Sequence, residues 1–393
     1  MVERHAAEVR PAEVETEQLL LSGGRILAEP IFADRDFPPF RRAMRDGYAV
    51  RANDLTQLPV TLDVIAEVKA GAVLADLPAE VRPGQAAAIM TGAPTPEGAD
   101  AVVMVEYTSQ SGTRVTITRG VASGDNVVPV GSEARRSDVL LPPGKLINYS
   151  AIAVASSVGK DSLRVFRRPQ VAILATGDEV VEIDKQPGSY QIRNSNSYSL
   201  AAQVQQAGGE PRILGIALDE APHLGGLIQQ GLECDLFLLA GGVSMGKYDL
   251  VEKVLEEFGA EFFFTGVQIQ PGRPVVFGRA CGKYFFGLPG NPVSTMVTFE
   301  LFAKPMLQAL AGMQAQKLVF LHARLKSEIK TKTGLKRFLP GFLSGEFERA
   351  DVELARWHGS GDVASTARAN CYIVVPADRE RIPAGEWVAV MKK

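Results

Sequence analysis

Apolar residues form short continuous runs between residues 169 and 297, and a glycine-containing loop follows most of them. Such runs are typical of strands that are buried on both faces of a parallel sheet. The segments between them space Leu, Val and Ile as amphipathic helices do. We therefore predict a doubly wound, mostly parallel sheet that binds its ligand at the carboxyl ends of the strands. The predicted elements are strands Val171–Ala175, Arg212–Leu218, Asp235–Leu239 and Tyr284–Phe286, and helices Tyr198–Ala207, Pro222–Glu233 and Leu250–Phe258.

The flanking regions have different patterns. Pro11–Ile31 spaces its large apolar residues on one helical face, and Asn148–Val158 predicts a second helix that ends at Gly159. Residues 60–147 alternate short β-type runs with Gly/Pro turns, and the chain after Gln316 alternates again. We predict an α/β multidomain protein with an elongated helical N-terminal domain (1–44 plus 145–167), an inserted β-rich domain (45–144), an α/β domain (168–314) and an all-β C-terminal domain (315–393).

Composition narrows the functional class. The 393 residues carry 42 Lys and Arg against 45 Asp and Glu, and this near balance argues against a dedicated nucleic-acid binder. The 3 cysteines and 4 histidines are scattered, which argues against a disulfide framework and a Cys/His metal site. Apolar runs are too short to span a membrane, and charges from Glu3 onward argue against a signal peptide. We expect a cytoplasmic protein without membrane or nucleic-acid partners.

Acidic residues follow the ends of three predicted strands. Glu179, Asp219 and Asp249 occupy these positions. Carboxylates that converge from separate strands repel one another unless a cation or a proton lies between them. Oxygen ligands without His or Cys favour a hard ion such as Mg²⁺, which also bridges to phosphates. A single acid of this kind more often caps a helix or faces solvent, but three in equivalent positions favour a Mg²⁺ site.

Two glycine-containing loops in the same region have the composition of anion-binding turns. Glycine lets backbone N–H groups approach an anion, and a following helix offers its positive end. Neither loop is a Walker or dinucleotide motif, so each alone is equally consistent with a simple turn. The second loop precedes a predicted helix over Val293–Leu310, with Pro292 in its first turn. The candidate binding residues of these loops are Gly241, Gly242, Ser244, Gly290, Asn291, Pro292 and Ser294.

Further polar positions have two interpretations each. Ser195 or Asn196 either caps the next helix or contacts a phosphate or pterin. Arg273 could bind an oxyanion through its forked guanidinium, but a single arginine is more often a solvated charge on the surface. Asp46 and Thr91 are polar spots among apolar residues of the insertion, and both stand in good turn sequences. The residues alone thus predict a Mg²⁺-assisted site for a phosphorylated ligand, without naming that ligand.

Read together, these motifs resemble the molybdopterin molybdenumtransferase family, which is related to the carboxyl-terminal region of gephyrin. The motifs occur in the family's order and cover the chain from about residue 15 to its end. The matching segments are Met44–Ala49, Ile89–Gly98, Ala175–Glu179, Arg193–Asn196, Gly241–Gly246 with Tyr248–Asp249, Gln270–Pro274 and Gly287–Ser294.

The resemblance implies an elongated homodimer whose active cleft is shared between two chains. It implies a Mg²⁺-dependent transfer of molybdenum from molybdate to adenylylated molybdopterin with release of AMP, driven by positioning and electrostatics. One protomer would supply Asp46 and Thr91, and its partner would supply Glu179, Asp219 and Asp249, which also hold the metal. The predicted substrate-binding residues are Asn196, Gly241, Gly242, Ser244, Arg273, Pro289, Asn291, Pro292, Ser294 and Ser360.

Three positions depart from the family pattern. Gly266, Gln270 and Pro340 stand where the resemblance leads us to expect basic residues, although Lys336 and Arg337 are near in sequence. The oxyanion site is therefore less basic than usual, and tungstate in place of molybdate stays open. Two other functions also stay open, a non-catalytic molybdopterin-binding scaffold and a molybdopterin adenylyltransferase. The acidic residues favour an enzyme over a scaffold, and the β insertion and β tail favour the molybdenum-inserting step.

Overall fold

The computed structural model describes residues 1–218, 220–242, 250–314 and 316–393, which form two compact units. The first unit comprises Met1–Glu29, Pro143–Tyr149 and Ser162–Lys393, and the second comprises Pro30–Pro142 and Ser150–Asp161. No helix among the described residues is long and apolar enough to cross a membrane. The α-helices of the described residues are α1 (Val2–Ala6), α2 (Tyr149–Ser157), α3 (Ser195–Gln206), α4 (Ala221–Leu232), α5 (Leu250–Glu257), α6 (Pro292–Thr298), α7 (Lys304–Leu310) and α8 (Val363–Arg368).

The N-terminal 168 residues contain mostly short strands. These strands are β1 (Val14–Gln18), β2 (Ile31–Phe32), β3 (Arg42–Ala43), β4 (Gly47–Val50), β5 (Val60–Val68), β6 (Gln85–Ile89), β7 (Ala101–Met104), β8 (Thr108–Ser111), β9 (Arg114–Ile117), β10 (Val127–Val128), β11 (Val139–Leu141) and β12 (Ser162–Phe166). In the second unit a six-stranded mixed sheet has the order β7-β4-β6-β5-β9-β8. The predicted β-rich insertion is confirmed in type, while the four-domain boundaries stay a prediction.

The predicted helix over Pro11–Ile31 is wrong. Its first part is strand β1, which pairs antiparallel with β12. Glu15 and Glu17 lie two positions apart, on the same face of this strand, and both bind the buried guanidinium of Arg25. The segment therefore follows the two-residue repeat of a strand and not the repeat of a helix. Leu20 and Leu21, which suggested the apolar face of a helix, are 81% and 64% exposed. The predicted elongated helical N-terminal domain is therefore not helical here, although the second predicted helix is present as α2.

The middle of the chain forms the predicted α/β sheet. Four parallel strands lie side by side in the order β16-β13-β17-β21, and two antiparallel strands, β20 and β18, extend the sheet. The strands of this region are β13 (Gln170–Thr176), β14 (Val180–Val181), β15 (Ile192–Arg193), β16 (Glu210–Ala217), β17 (Leu236–Ala240), β18 (Glu261–Phe264), β19 (Ile269–Gln270), β20 (Val276–Ala280) and β21 (Lys283–Leu288). The mostly parallel sheet is confirmed, and β18 and β20 are additions that the sequence interpretation missed.

Helices cover both faces of this sheet, which explains the continuous apolar runs. Val171 and Ile173 of β13 pack in one cluster with α3 and α7, whereas Ala172 and Leu174 pack in another with α4 and α5. Helix α6 continues into α7 through a π-helical turn, Phe299–Ala303. Because the central strands β13 and β17 are buried on both sides, polar residues are disfavoured along them, and the polar residues of the site lie at strand ends and in loops.

The C-terminal region is mostly β, as predicted, and its strands close into a barrel, but helix α8 makes the prediction of an all-β domain wrong in that detail. Its strands are β22 (Leu321–Leu325), β23 (Ile329–Lys330), β24 (Lys336–Glu346), β25 (Arg349–Leu354), β26 (Cys371–Val375), β27 (Arg381–Ile382) and β28 (Trp387–Lys392). The order β24-β25-β22-β28-β26 returns to β24, which pairs with β26 through its first half and with β25 through its second. Strand β19 pairs parallel with β24 and joins the barrel to the α/β sheet.

Helix α4 offers a test of how tightly the sheet is packed. A Cβ added at Gly231 would meet the ring of Phe237 on β17 at 2.5 Å, whereas one at Gly226 in the same helix meets nothing within 4 Å. We expect Gly231→Ala to destabilise the fold by about 1–3 kcal/mol through overpacking. The control Gly226→Ala should be neutral or stabilise by up to about 1 kcal/mol. Urea unfolding followed by circular dichroism measures both, and equal midpoints would contradict this packing.

Candidate functional site

A cavity of about 360 Å³ lies at the carboxyl ends of β13 and β17. The register of the parallel strands puts Thr176 beside Ala217 and Ala175 beside Ala240, so the following loops emerge at one edge. This is the location that the sequence predicts for a ligand. The principal lining residues are Thr176, Gly177, Glu179, Arg193, Asn194, Asn196, Gly241, Gly242, Pro289, Gly290 and Pro292.

The glycine turn after β17 lets its backbone approach β13 closely. Gly241 and Gly242 have φ angles of 97° and 65°, which favour glycine. A Cβ at Gly241 would meet the Thr176 carbonyl oxygen at 2.7 Å, and one at Gly242 would meet Thr176 Oγ1 at 2.5 Å. The N–H of Gly241 donates to the Leu288 carbonyl, so this group is committed to the sheet rather than to an anion. Ser244, the third residue predicted in this loop, lies outside the described residues.

The start of α3 forms a second wall of the cavity. Asn194, rather than Ser195 or Asn196, is the N-cap, because its side chain accepts from the Ser197 N–H at 3.1 Å. Asn196 instead donates through Nδ2 to the Gly290 carbonyl at 2.7 Å and ties α3 to the loop before α6. The capping role predicted for Asn196 is therefore wrong, and its predicted contact with a phosphate or pterin stays a prediction for a residue that lines the cavity.

Several buried polar atoms around this cavity have no hydrogen-bond partner within the described ranges. They are Thr176 Oγ1, Asn194 Nδ2, Asn196 Oδ1 and Ser197 Oγ. Buried polar atoms are almost always hydrogen-bonded, because leaving one unpaired costs about 1–3 kcal/mol. Thr176, Asn194 and Asn196 line the cavity. The cavity therefore presents donors and acceptors of the kind that a polar heterocycle or a phosphate would satisfy.

Of the three predicted metal ligands, the structure describes one. Glu179 is exposed and lines the cavity, and its backbone carbonyl accepts from Ile192 N–H at 2.8 Å. Asp219 and Asp249 lie outside the described residues, so their convergence with Glu179 stays a prediction. Among the residues that are described, no group of three His, Cys, Asp or Glu side chains is placed to hold a metal.

The loop before α6 contains both lining and supporting residues. Pro289 and Pro292 line the cavity, and Pro292 opens α6 as predicted, with Asn291 before it at the N-cap position. Ser294 is 4% exposed and lies inside α6 rather than on the cavity wall. Thr295, which the sequence interpretation missed, donates its hydroxyl to the carbonyls of Pro289 and Asn291 and fixes the loop from behind.

The remaining predicted binding residues do not line the cavity. Arg273 is exposed, and its neighbour Pro274 lines the cavity instead. Ser360 belongs to the C-terminal barrel, and its carbonyl accepts from the Val293 N–H at 3.0 Å in the first turn of α6. The barrel loop thereby contacts the helix whose first residue borders the cavity.

In the second unit, Asp46 and Thr91 form a direct pair. Asp46 Oδ1 accepts from Thr91 N–H at 2.6 Å and from Thr91 Oγ1 at 2.7 Å. These two hydrogen bonds lower the pKa of Asp46. Asp46 is thus an exposed carboxylate that stays ionised at neutral pH. The sequence identified the two residues as separate polar positions, and the structure shows that they are hydrogen-bonded to each other.

Of the two basic residues where β19 pairs with β24, Arg337 is committed to structure, whereas Lys336 is exposed. Gln270 Oε1 accepts from Arg337 Nε at 2.9 Å, and Arg337 also donates to the carbonyls of Leu335 and Lys332. Only 8% of Arg337 is exposed. Arg337, which the sequence offered as a cation near an oxyanion, is therefore fully used at the junction of β19 and β24.

Comparison with known families accounts for nearly the whole chain. Residues 1–159 match the MoeA N-terminal region (domain I and II), and residues 172–309 match the probable molybdopterin binding domain. Residues 322–393 match the MoeA C-terminal region (domain IV). The three matched regions correspond in order to the N-terminal segments, the α/β sheet and the closing barrel.

Named relatives and solved structures agree with these matches. The molybdopterin molybdenumtransferase of Nostoc sp. is 35% identical over 97% of this chain and 89% of its own length. That of Haemophilus influenzae is 33% identical over 98% and 95%. The crystal structure of the molybdopterin biosynthesis MoeA protein of Pyrococcus horikoshii OT3 covers 100% of this chain and 99% of its own, with a TM-score of 0.80 at 31% identity. The chain therefore belongs to the molybdopterin molybdenumtransferase family.

Proposed function

We propose that this protein inserts molybdenum from molybdate into adenylylated molybdopterin and releases AMP. The observation that supports this function is the cavity at the strand ends, whose wall carries polar atoms that have no hydrogen-bond partner among the described residues. A molybdopterin adenylyltransferase or a scaffold could use such a cavity too. The MoeA N-terminal and C-terminal regions that flank it favour the molybdenum-inserting step over the adenylyltransferase.

The unpartnered atoms specify how the cavity would hold its ligand. Asn194 uses its Oδ1 to cap α3, so its Nδ2 is left as a donor. Asn196 uses its Nδ2 on Gly290, so its Oδ1 is left as an acceptor. The Thr176 hydroxyl offers both functions. Because hydrogen bonds to backbone groups already fix the side chains of Asn194 and Asn196, the ligand would meet preorganised donors and acceptors, as a pterin ring or phosphate requires.

The same edge of the sheet fits a hard divalent cation. Glu179 is exposed at the cavity and forms no ion pair with another described residue. Its oxygens, together with those of Asp219 and Asp249, would make the oxygen-only set that Mg²⁺ prefers. When bound, Mg²⁺ would offset the charge of the two phosphates of the adenylate. The protein's own part is to hold the pterin and its phosphates against the glycine turn while molybdate approaches.

Asp46 and Thr91 would supply a second polar group to the active site. Two hydrogen bonds from Thr91 keep Asp46 ionised and fix its orientation. Such a carboxylate can accept a hydrogen bond or bind a cation, but it cannot act as a general acid at neutral pH. We assign it to an active site that two chains of a homodimer share, in which Asp46 and Asp249 come from different protomers.

Molybdate-dependent AMP release is the direct test of the proposed function. Purified protein supplied with adenylylated molybdopterin, Mg²⁺ and molybdate should release AMP, and a chelator should stop it. Asp219→Ala and Asp249→Ala should each abolish release. Asp184→Ala is the control, because this acid is exposed and lies away from the cavity lining. AMP release that is independent of molybdate, or that survives in both variants, would overturn the assignment.

The close approach of the glycine turn gives a second prediction. In Gly242→Ala the new Cβ would push against Thr176 Oγ1, so the apparent affinity for adenylylated molybdopterin should fall roughly tenfold or more. Gly282→Ala is the matched control, since Gly282 also has a positive φ but its Cβ would meet nothing within 4 Å. Titration of pterin binding distinguishes the two, and equal affinities would show that this turn does not shape the cavity.

The shared site has its own test. Mixing Asp46→Ala protein with Asp249→Ala protein should restore part of the activity, because some mixed dimers would keep one site with both carboxylates. Subunit exchange is checked with differently tagged chains. If exchange occurs and no activity returns, Asp46 and Asp249 do not belong to sites that two chains share.

A further inference from the structure

A second cavity of about 410 Å³ lies on the C-terminal barrel, between the end of β25 and α8. It is separate from the cavity at the strand ends, and the two have no lining residue in common. Its lining residues are Phe342, Glu353, Leu354, Ala355, Arg356 and Arg368.

Two arginines with no acidic partner meet in this cavity. Arg356 and Arg368 are both exposed, and in the described part of the chain neither forms an ion pair. Other arginines of the same barrel are paired: Arg349 with Asp351 at 2.9 Å and Arg379 with Glu386 at 2.9 Å. Like charges around one cavity repel each other, and an anion of charge −2 would relieve that repulsion. The planar, forked guanidinium groups suit the oxygens of such an ion.

Ser365 links the backbone at Arg356 to helix α8, which contains Arg368. The Ser365 hydroxyl lies 2.8 Å from Asp362 Oδ2 and also donates to the Arg356 carbonyl, while Arg368 Nη2 lies 3.5 Å from Ser365 Oγ. Asp362 caps α8 through the Ser365 N–H at 3.0 Å. These bonds hold the backbone at Arg356 beside the first turn of α8, so both arginines border the same cavity.

The loop between these arginines also contacts α6, whose first residue lines the first cavity. Residues 357–362 connect Arg356 to α8, and within this loop the Ser360 carbonyl accepts from the Val293 N–H. Val293 follows Pro292, which lines the cavity at the strand ends. A ligand held by the arginines would thus lie on the barrel surface whose loop contacts the wall of the proposed pterin site.

Glu353 sets the charge balance of the second cavity. It is exposed in the same lining and is not within ion-pair distance of a described cation. Two positive charges against one negative charge leave the cavity net positive and attractive to an anion, while the Glu353 carboxylate weakens that attraction. Such a balance suits a substrate ion that must bind and leave again.

We infer that Arg356 and Arg368 form a binding site for a tetrahedral oxyanion, and that this anion is the molybdate of the proposed reaction. The site for the anion stands on the geometry of the cavity, whereas its assignment to molybdate rests on the proposed function. Both arginines bind the ion directly, and Ser365 positions them.

Isothermal titration of the full chain with sodium molybdate tests the site. Arg356→Gln and Arg368→Gln should each weaken molybdate binding roughly tenfold or more, since each removes a charge-assisted contact. Glu353→Gln should strengthen it. Arg349→Gln is the matched control, an exposed arginine of the same barrel whose partner is Asp351. Unchanged affinity in both arginine variants would overturn the site, and so would weaker binding in Glu353→Gln.

A parallel titration with AMP separates the two sources of oxyanion. If the arginine variants lose AMP binding and keep molybdate binding, the cavity holds the nucleotide phosphate and the molybdate assignment is wrong. In the AMP-release assay the arginine variants should raise the molybdate concentration for half-maximal release without lowering the plateau. If wild-type protein releases no AMP, the proposed function fails, while the molybdate titration still decides whether the arginines bind the anion.

Discussion

The parallel hydrogen-bond register of β13, β16, β17 and β21 is the constraint on which the candidate site depends. The pairings Thr176 with Ala217, Ala175 with Ala240 and Ala240 with Leu288 end these strands at one edge of the sheet. Both faces of the sheet are buried, so a strand that slipped by one residue would move its side chains between two tightly packed clusters. The loops therefore converge because the core fixes the strands, and the polar residues of the loops need not contribute to folding.

This division of labour explains why the cavity wall can hold unpartnered polar atoms. Thr176 Oγ1 and Asn194 Nδ2, for example, have no partner in the part of the chain that the structure describes, and a buried atom left unpaired costs about 1–3 kcal/mol. The adjoining sheet buries large apolar side chains, including Phe237 and Phe286, and each stabilises the fold by a similar amount. The apolar core is stable enough to offset the cost of these buried polar atoms at the edge of the sheet. A ligand that hydrogen-bonds to them would remove that cost and so bind more tightly.

Sequence patterns predicted the elements whose apolar residues follow one clear repeat. They failed where the apolar residues and the polar residues of a segment indicate different elements. The runs at β13 and β17 were unambiguous because burial on both faces removes polar residues. At β1 the apolar Leu20 and Leu21 suggested a helical face, but the alternating Glu15 and Glu17 that bind Arg25 decided the structure. Strand β24 was missed because Pro340, Gly341 and Gly345 interrupt its pattern, and its length depends on pairing with both β25 and β26.

The candidate site was predicted at the level of loops, while its individual contacts depend on tertiary neighbours. Asn194, Ser195 and Asn196 are adjacent polar residues, and only the geometry of α3 decides which one caps it. Thr295 gave no signal, since its role is to bind two carbonyls that folding brings within reach. The acids Asp219 and Asp249 and the hydroxyl of Ser244 lie outside the described residues, and there the sequence alone supports the assignment.

The same reasoning explains where the positive charge of the barrel lies. A lysine at position 270 would place an ammonium against the guanidinium of Arg337, which is buried and already binds two carbonyls. Two unpaired cations in such a place would be strongly unfavourable. Gln270 accepts from Arg337 and removes the conflict, so the two positions act as a coupled pair. The positive charge of Arg337 is thus used for joining β19 to β24, whereas the exposed Lys336 beside it, and Arg356 and Arg368 elsewhere on the barrel, form no ion pair among the described residues.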